Sequence, residues 1–459
     1  MQHRESFSLP EQRHAVLSGC MKGALVILGS GGDLMCGKLL PALWGLHVQG
    51  YRPRVLGVDQ CGEGADALET LLSNSVARGG LPSAAAEDPE FRGRFECLSG
   101  DLREEVVYHE VARRLHDTER CFYCAVPCSL FEPIAGNLTR VGLNREEGGK
   151  RSRIVFEKPF GESLDSAAGL FRGLRGFAPH QRVFSEHYLA KGVPRALTAF
   201  RQQEQNALLE NLLNTRHVTR VEVFSDEPGG IGTRGPFFDD CGTLRDMGQH
   251  LLQVLALATM ELPDMLHDTR KQRQNLLSRI VLDRIESVRG QYEGYQEENG
   301  VAANSVTETF FSARVFVAND RWQDVPLVIR SGKFLDRKAA GIVYHFNGKD
   351  GIECCEICIQ PREKLTFKFA KNVDPVLAEG CMQIESSFND RFASQSPEAY
   401  EPILRAALGE SMDLFVDEEN ILASWRILDV VREAWTTFPG GHPLQHYGAG
   451  TRASQISNL

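Results

Sequence analysis

The octapeptide SEHYLAKG, residues 185–192, gathers Glu186, His187, Tyr188 and Lys191 within six positions. Such a set can do two kinds of work. The ammonium, phenol and imidazole can hold a phosphate dianion through charge-assisted hydrogen bonds. The carboxylate can orient a catalytic base. A solvated helix face would also collect these residues. A second imidazole, His250, lies in the helical run GTLRDMGQHLLQVLALATM (242–260). It titrates near neutral pH and can take a hydroxyl proton, although a histidine there could equally be packed or exposed. Lys158 stands in the turn-like segment EKPFG (157–161).

These groups need a scaffold. GALVILGSGGDL (23–34) reads as a buried strand running into a glycine turn that opens a helix. Gly29, Ser30, Gly31, Gly32, Asp33 and Leu34 are therefore candidate dinucleotide-binding residues. Glycine lets the backbone approach a pyrophosphate, and a helix N-terminus offers it N–H groups. A plain structural turn is the alternative. The second strand, RPRVLGVD, ends at Asp59, followed by Gln60. An acid there suits a free ribose diol, whereas a base suits a 2′-phosphate, so the position leans towards NAD. Asp59 as an ordinary turn residue is the other reading. RFECLSGD, RCFYCAVP and SRIVFEKPFG are further strands, with EEVVYHEVARRL a helix. Alternating strands and helices predict a mostly parallel, doubly wound sheet.

After about residue 200, VTRVEVFSDEP, TETFFSARVFVA, VPLVIRSGKFL, AAGIVYHF, CCEICIQP and KLTFKFA are closely spaced strand patterns. They predict a mainly antiparallel sheet, with helices from 242–260, PEAYEPILRAALG and ENILASWRILDVVREAW packed on it. YEGYQEENGVAANSV (292–306) reads as a flexible loop. The expected fold is an α/β Rossmann-type domain plus a larger α+β domain with a mainly antiparallel sheet. The expected division is a polar extension over 1–23, a dinucleotide-binding domain over 24–190, and a substrate-binding and oligomerisation domain over 191–459.

The composition sets outer limits. The 459 residues are 42% hydrophobic and 24% charged, ordinary for a folded soluble protein. A net charge of −10 argues against nucleic acid or an anionic membrane as the main partner. The apolar stretch LLQVLALATM is too short to span a bilayer. Twelve cysteines in so long a chain do not suggest a secreted disulfide framework. CFYC (121–124) and CEIC (355–358) sit in strand-like runs, which favours buried thiols over a metal or redox pair. A reduced, cytoplasmic protein with no metal site is expected.

Several segments resemble the glucose-6-phosphate dehydrogenase family. LGSGGDLMCGKLLPALWGL is similar to its GxxGDLxxxKLxPAL signature, VFEKPFGESL to its EKPFG motif and SEHYLAKG to its DHYLGKE motif. DEPGGIGTRGPFFDDCGTLRDMGQHLLQ resembles EPxGxxGRGxYxDxxGxxRDxxQNHLLQ. GQYEGY, VTETF, VPLVIRSGKFL and ASWRILD follow in the family's order. The resemblance implies oxidation of glucose 6-phosphate at C1 to 6-phosphogluconolactone with hydride transfer to NAD or NADP, the first step of the oxidative pentose phosphate pathway. It implies His250 as the base and Glu186 as its partner. His187, Tyr188 and Lys191 match the phosphate-binding residues. Glu227 and Asp246 match the carboxylates for sugar hydroxyls, and Lys333 and Lys338 match two basic substrate residues. Lys158 matches the lysine between sugar and cofactor, with Pro159 setting its turn. A homodimer or homotetramer is expected.

Three departures stand out. Glu186 replaces the family's aspartate. RDMGQH is one residue shorter than RDxxQNH, and one residue is about 100° of helix. A local adjustment is therefore expected, with Gly248 as its place and the longer Glu186 restoring reach to the imidazole. Gln60 stands where an arginine serves NADP, and Cys36 and Gly37 stand where many members carry lysine or arginine, so NAD is expected to serve at least as well. A related dehydrogenase acting on another sugar, and a diverged non-catalytic partner or regulator, are the alternatives.

Overall fold

The structure is a computed structural model that describes residues 23–60, 62–115, 118–349, 351–369, 383–387, 399–409, 411–437 and 440–459. The polar extension expected over 1–23 lies outside them except for Gly23. The chain forms two compact units. The first comprises Met1–Lys158, Phe171–Ser185 and Glu398–Phe415, and the second Pro159–Leu170, Glu186–Pro397 and Val416–Leu459.

The first unit is built on β1 (Ala24–Leu28), β2 (Arg54–Asp59), β3 (Phe95–Ser99), β4 (Arg120–Cys124), β5 (Ser152–Phe156) and β6 (Arg182–Ser185). Every residue of ALVIL is buried, as a strand covered on both faces requires. β1 pairs in parallel with β2 and with β4. The order is β6-β5-β4-β1-β2-β3, with the two-residue strand Phe415–Val416 beyond β6. The order reverses beside β1, and the crevice at such a switch point is where dinucleotides bind in open α/β sheets. The four-residue β6 is too short to be read from its pattern.

Helix Tyr400–Leu408 packs on helix Leu40–Val48 in this unit. The buried Arg153 guanidinium donates to the carbonyls of Ala406, Ala407 and Gly409 at 3.2, 2.7 and 2.9 Å. Helix Tyr400–Leu408 thus groups with the first unit, and Arg153 supplies donors to the carbonyls left open at its end.

The second unit holds β7 (Val218–Asp226), β8 (Glu286–Tyr292), β9 (Phe310–Val315), β10 (Leu327–Gly332), β11 (Ala339–Phe346), β12 (Ile352–Gln360), β13 (Lys364–Phe369) and β14 (Gln383–Ser387). With Leu444–Tyr447 they make a nine-stranded sheet ordered β14-β13-β12-β11-β7-β10-β9-β8-(444–447). Pairing is antiparallel except between β10 and β7 and between Leu444–Tyr447 and β8. The mainly antiparallel expectation therefore holds.

The long helix Gly235–Thr259 packs on β10 and β7 and against helices Thr269–Ser278 and Glu418–Thr437. Its C-terminal carbonyls are met by side chains. Trp322 donates to Thr259 at 2.6 Å, Tyr344 to Ala258 at 2.9 Å, and Arg201 to Leu257 and Met260 at 3.0 and 3.1 Å.

Two expectations change here. The 292–306 segment is tied rather than loose. Tyr295 and Ser305 donate to the Asp239 carboxylate, as does the amide of Ala302 at 3.0 Å, and Tyr292 and Tyr295 are buried. Its polar residues are partners for the half-buried Asp239 carboxylate, which looks like loop composition in sequence. The CxxC pairs are strand positions: Cys121 and Cys124 lie on β4, and Cys355 and Cys358 on β12, all buried and free. Residues three apart on a strand face opposite ways, so neither pair can share a metal. Among the described residues, no helix is long and apolar enough to cross a membrane.

Candidate active site

SEHYLAKG does not form a helix face. After Ser185 it makes a turn, closed by Leu189 N–H on Glu186 O at 2.9 Å and Lys191 N–H on Tyr188 O at 3.3 Å, before helix Gly192–Gln202 begins. Glu186, Tyr188, Leu189 and Ala190 are buried, which overturns the solvated reading. Glu186 Oε1 bonds His250 Nδ1, and the two residues are only 2% and 5% exposed. Glu186 Oε1 also accepts the Tyr188 amide at 3.2 Å. Tyr188 stacks on His250 with ring centroids 4.8 Å apart, and His187 meets the same ring edge-on at 4.5 Å.

The rest of the pocket follows from the sheet. Ser225, on β7, bonds the Tyr188 hydroxyl at 3.2 Å. Lys333, just past β10, donates to Glu227 at 2.6 Å. Burial pushes the Tyr188 phenol up to about 12, and the charges of Glu227, Glu186 and Asp246 add to that rise. Lys191 Nζ lies 3.7 Å from the centre of the Tyr188 ring. Burial lowers its ammonium to about 8, with Lys338 pressing the same way and Glu186 and Glu227 opposing. Glu186, His187, Tyr188, Lys191, Glu227, Asp246, His250, Lys333 and Lys338 thus converge in the second unit. Glu186, His187 and His250 also place one ligand atom each within 4.8 Å of one another, a set that could hold a metal ion.

The shortened RDMGQH is accommodated differently from the expectation. Thr243–Thr259 is helical throughout, and the one break is at Gly242, with φ 66° and ψ 169°. Gly248 does not distort the helix. It makes room for helix Glu418–Thr437, since a Cβ there would lie 2.7 Å from Leu428. Asp246 pairs with Arg234 at 3.1 Å.

In the first unit the turn after β1 takes a backbone conformation that needs glycine. Gly29 has φ 90°, and a Cβ on it would meet Ala125 O at 2.6 Å and Val126 at 2.5 Å. Its amide and that of Ser30 bond Val58 O, and Gly32 N–H bonds Gly29 O. Gly31, Gly32 and Asp33 are exposed where the helix opens, and Leu34 follows in its first turn. This exposed turn at a helix start fits a dinucleotide pyrophosphate. Asp59 accepts the amides of Gly31 at 2.9 Å and Gln60 at 2.6 Å. Lys158 lies two residues beyond β5 and is partly buried.

Sequence reading missed two cations here. Arg78 pairs with Asp33, and Arg103 holds the Asp101 carboxyl down at about 2, with the Gln60 side chain also bonded to Asp101. Both arginines come from outside the β1–β2 segment, and only the GD after β3 hinted at Asp101. Ser225 was also missed.

Together, the cradle at the switch point and the buried acid–imidazole pair define a nicotinamide dinucleotide-dependent oxidoreductase of two domains. Residues 26–194 match the family described as glucose-6-phosphate dehydrogenase, NAD binding domain, and residues 199–458 match its C-terminal domain. The chain is 30% identical to the glucose-6-phosphate 1-dehydrogenase of Treponema pallidum, covering 93% of this chain and 91% of that one. The fold is similar to the crystal structure of the Mycobacterium avium enzyme, with TM-score 0.81, 28% identity and 94% and 95% of the two chains covered. It is also similar to a glucose-6-phosphate dehydrogenase in complex with glucose 6-phosphate, with TM-score 0.83, 27% identity and 95% and 96% covered. The chain belongs to the glucose-6-phosphate dehydrogenase family. As a member it is an enzyme, an oxidoreductase that oxidises glucose 6-phosphate with a nicotinamide cofactor.

Proposed function

We propose that His250 is the general base that takes the C1 hydroxyl proton of glucose 6-phosphate, with Glu186 as its orienting partner. The observation that carries this is the buried Glu186–His250 Nδ1 bond. It sets the tautomer and stabilises the imidazolium that forms as the proton is taken, as the acid of a Ser-His-Asp triad does. His187, Tyr188 and Lys191 receive the phosphate. A half-buried cation at the start of helix Gly192–Gln202 is unfavourable with respect to both burial and the helix dipole, and a dianion there relieves both. Glu227, Asp246, Lys333 and Lys338 hold the sugar.

Gly29, Ser30, Gly31, Gly32, Asp33 and Leu34 cradle the pyrophosphate, and Asp59 with Gln60 meets the adenosine ribose. Lys158 serves sugar and cofactor alike. A nicotinamide ring bound there supplies the acceptor for the hydride that leaves C1. NAD serves at least as well as NADP, because the nearby arginines are already paired with Asp33 and Asp101. The protein acts in the cytoplasm as a homodimer or homotetramer.

The intact acid–imidazole pair speaks against a non-catalytic relative. The test is an NAD(P)H absorbance assay on purified protein with a panel of phosphorylated and free sugars. Turnover is expected with glucose 6-phosphate above all others. No turnover with any sugar, or a preference for an unphosphorylated one, sinks the reading.

A further inference from the structure

We propose that Glu308 is a positioning residue, its carboxylate being the N-terminal cap of the helix segment that carries Asp246 and His250. This rests on the reading of His250 as the base. The break at Gly242 starts a new helix at Thr243, and a helix start leaves its first amides without carbonyl partners. The usual remedy is a side chain at the preceding position, and Gly242 has none. Glu308, at the entry to β9, supplies the partners from another element. Its backbone carbonyl accepts the Thr243 amide at 3.0 Å and the Thr243 hydroxyl at 3.3 Å. Its Oε1 accepts the Leu244 amide at 2.9 Å.

The fit is mutual. A Cβ on Gly242 would sit 2.4 Å from Glu308 Oε1, so the glycine that breaks the helix also admits the cap. A carboxylate is the right charge at the positive end of a helix dipole. Burial pushes the Glu308 carboxyl up to about 6, which leaves it charged at neutral pH, and Arg245, one turn along, and Arg289, on β8, oppose that rise; Tyr295 lies near enough to feel its charge.

The neighbouring residue, Thr309, reaches Lys333. The Thr309 carbonyl accepts the Lys333 amide at 2.9 Å. Thr309 Oγ1 bonds Tyr447, whose hydroxyl donates to the Lys333 carbonyl at 2.8 Å. The dipeptide Glu308–Thr309 therefore registers two parts of one pocket, the base-bearing helix and Lys333. Trp322, Tyr344 and Arg201 already hold the far end of that helix. The Glu308 cap fixes the near end, whose first turn carries Asp246 and whose next turn carries His250.

Three variants of the full-length enzyme test this. Glu308→Gln keeps an acceptor oxygen without the charge. Glu308→Asp keeps the charge but is one methylene short of the Leu244 amide, and Glu308→Ala removes both. A lost cap should lower kcat by about 10-fold in the Asp and Ala variants and raise KM for glucose 6-phosphate, with Gln within about threefold of wild type. Dinucleotide Kd, read by NAD(P)H fluorescence, should not change in any of them. If the Ala variant does not fold, the Asp–Gln contrast decides. Wild-type kcat in a folded Asp variant, a Gln variant as impaired as Asp, or a matching loss of dinucleotide binding overturns the proposal. Retained turnover in His250→Asn would instead sink the base assignment, whatever the Glu308 variants do.

Discussion

Around His250 the groups offered to a ligand are side chains, all but Lys338 buried or half-buried, and several are partnered with one another. At the turn after β1 they are main-chain amides, arranged by glycines and held by one carboxylate, Asp59. The difference shows how each site fails. A side-chain pocket loses the removed group's function first when one residue is cut back, because the backbone that carries its neighbours stays in place. A backbone cradle loses its shape at once when a Cβ enters it. The first is sensitive to chemistry and the second to volume.

The contrast predicts that His250→Asn lowers kcat by about 10²–10⁴, the scale of a positioned acid–base group, and leaves dinucleotide binding unchanged. Steady-state kinetics beside a fluorescence titration with NAD(P)H checks this. Near wild-type kcat would remove His250 from the mechanism. Gly29→Ala should behave in the opposite way. The residue is at φ 90°, and its Cβ would meet Ala125 O, so strain of about 1–3 kcal/mol is expected. Dinucleotide KM should rise by about 10-fold or more and Tm should fall, with sugar KM little changed. A variant with wild-type Tm and cofactor KM would show that the turn can move aside.

How much could be read from sequence follows the same contrast. The ALVIL run and the glycines after it announced both the buried strand and the turn, because strand burial and positive φ leave compositional marks. SEHYLAKG and QHLLQ announced the pocket through their residue types and their family resemblance. Positions whose role depends on distant partners were silent. Nothing in RDMGQH shows that the helix restarts at Gly242, since the cap is Glu308, more than sixty residues away. Asp239 is likewise one acid among many until Tyr295, Ala302 and Ser305 are seen around it. Arg78 and Arg103 could not be placed beside the turn because neither lies on the strands that form it.

Lys191 gives a smaller effect with a definite sign. Burial holds its ammonium at about 8, below the ordinary lysine value. The charged form is the one that binds phosphate. The amine is therefore largely charged at pH 7 and loses its charge as the pH passes about 8. For glucose 6-phosphate, kcat/KM should fall above that pH by up to about tenfold per unit, and Lys191→Ala should abolish the Lys191 component of the fall. The same variant should raise KM for glucose 6-phosphate far more than for free glucose. Equal losses on both sugars would assign Lys191 to the fold or to the sugar ring.

The smallest expected effect concerns the cofactor and tests how far the backbone reading extends. A 2′-phosphate must find a cation or well-placed donors, or its desolvation goes uncompensated. Asp59 and Asp101 bring negative charge to the end of β2 and β3. Arg103 is engaged by Asp101, and Arg78 by Asp33. To serve a 2′-phosphate, either arginine would have to leave its aspartate, which trades one ion pair for another and gains little where the pair is exposed. NAD is therefore expected to match or exceed NADP in kcat/KM. Kinetics with both cofactors on wild type, Arg78→Ala and Arg103→Ala checks it. If NADP wins by tenfold, about 1.4 kcal/mol, and one arginine variant erases that preference, that arginine turns from aspartate to phosphate on binding. If NADP wins and neither variant matters, the phosphate is met by groups outside this turn, and the reading of Asp59 and Gln60 as the ribose-recognising pair falls with it.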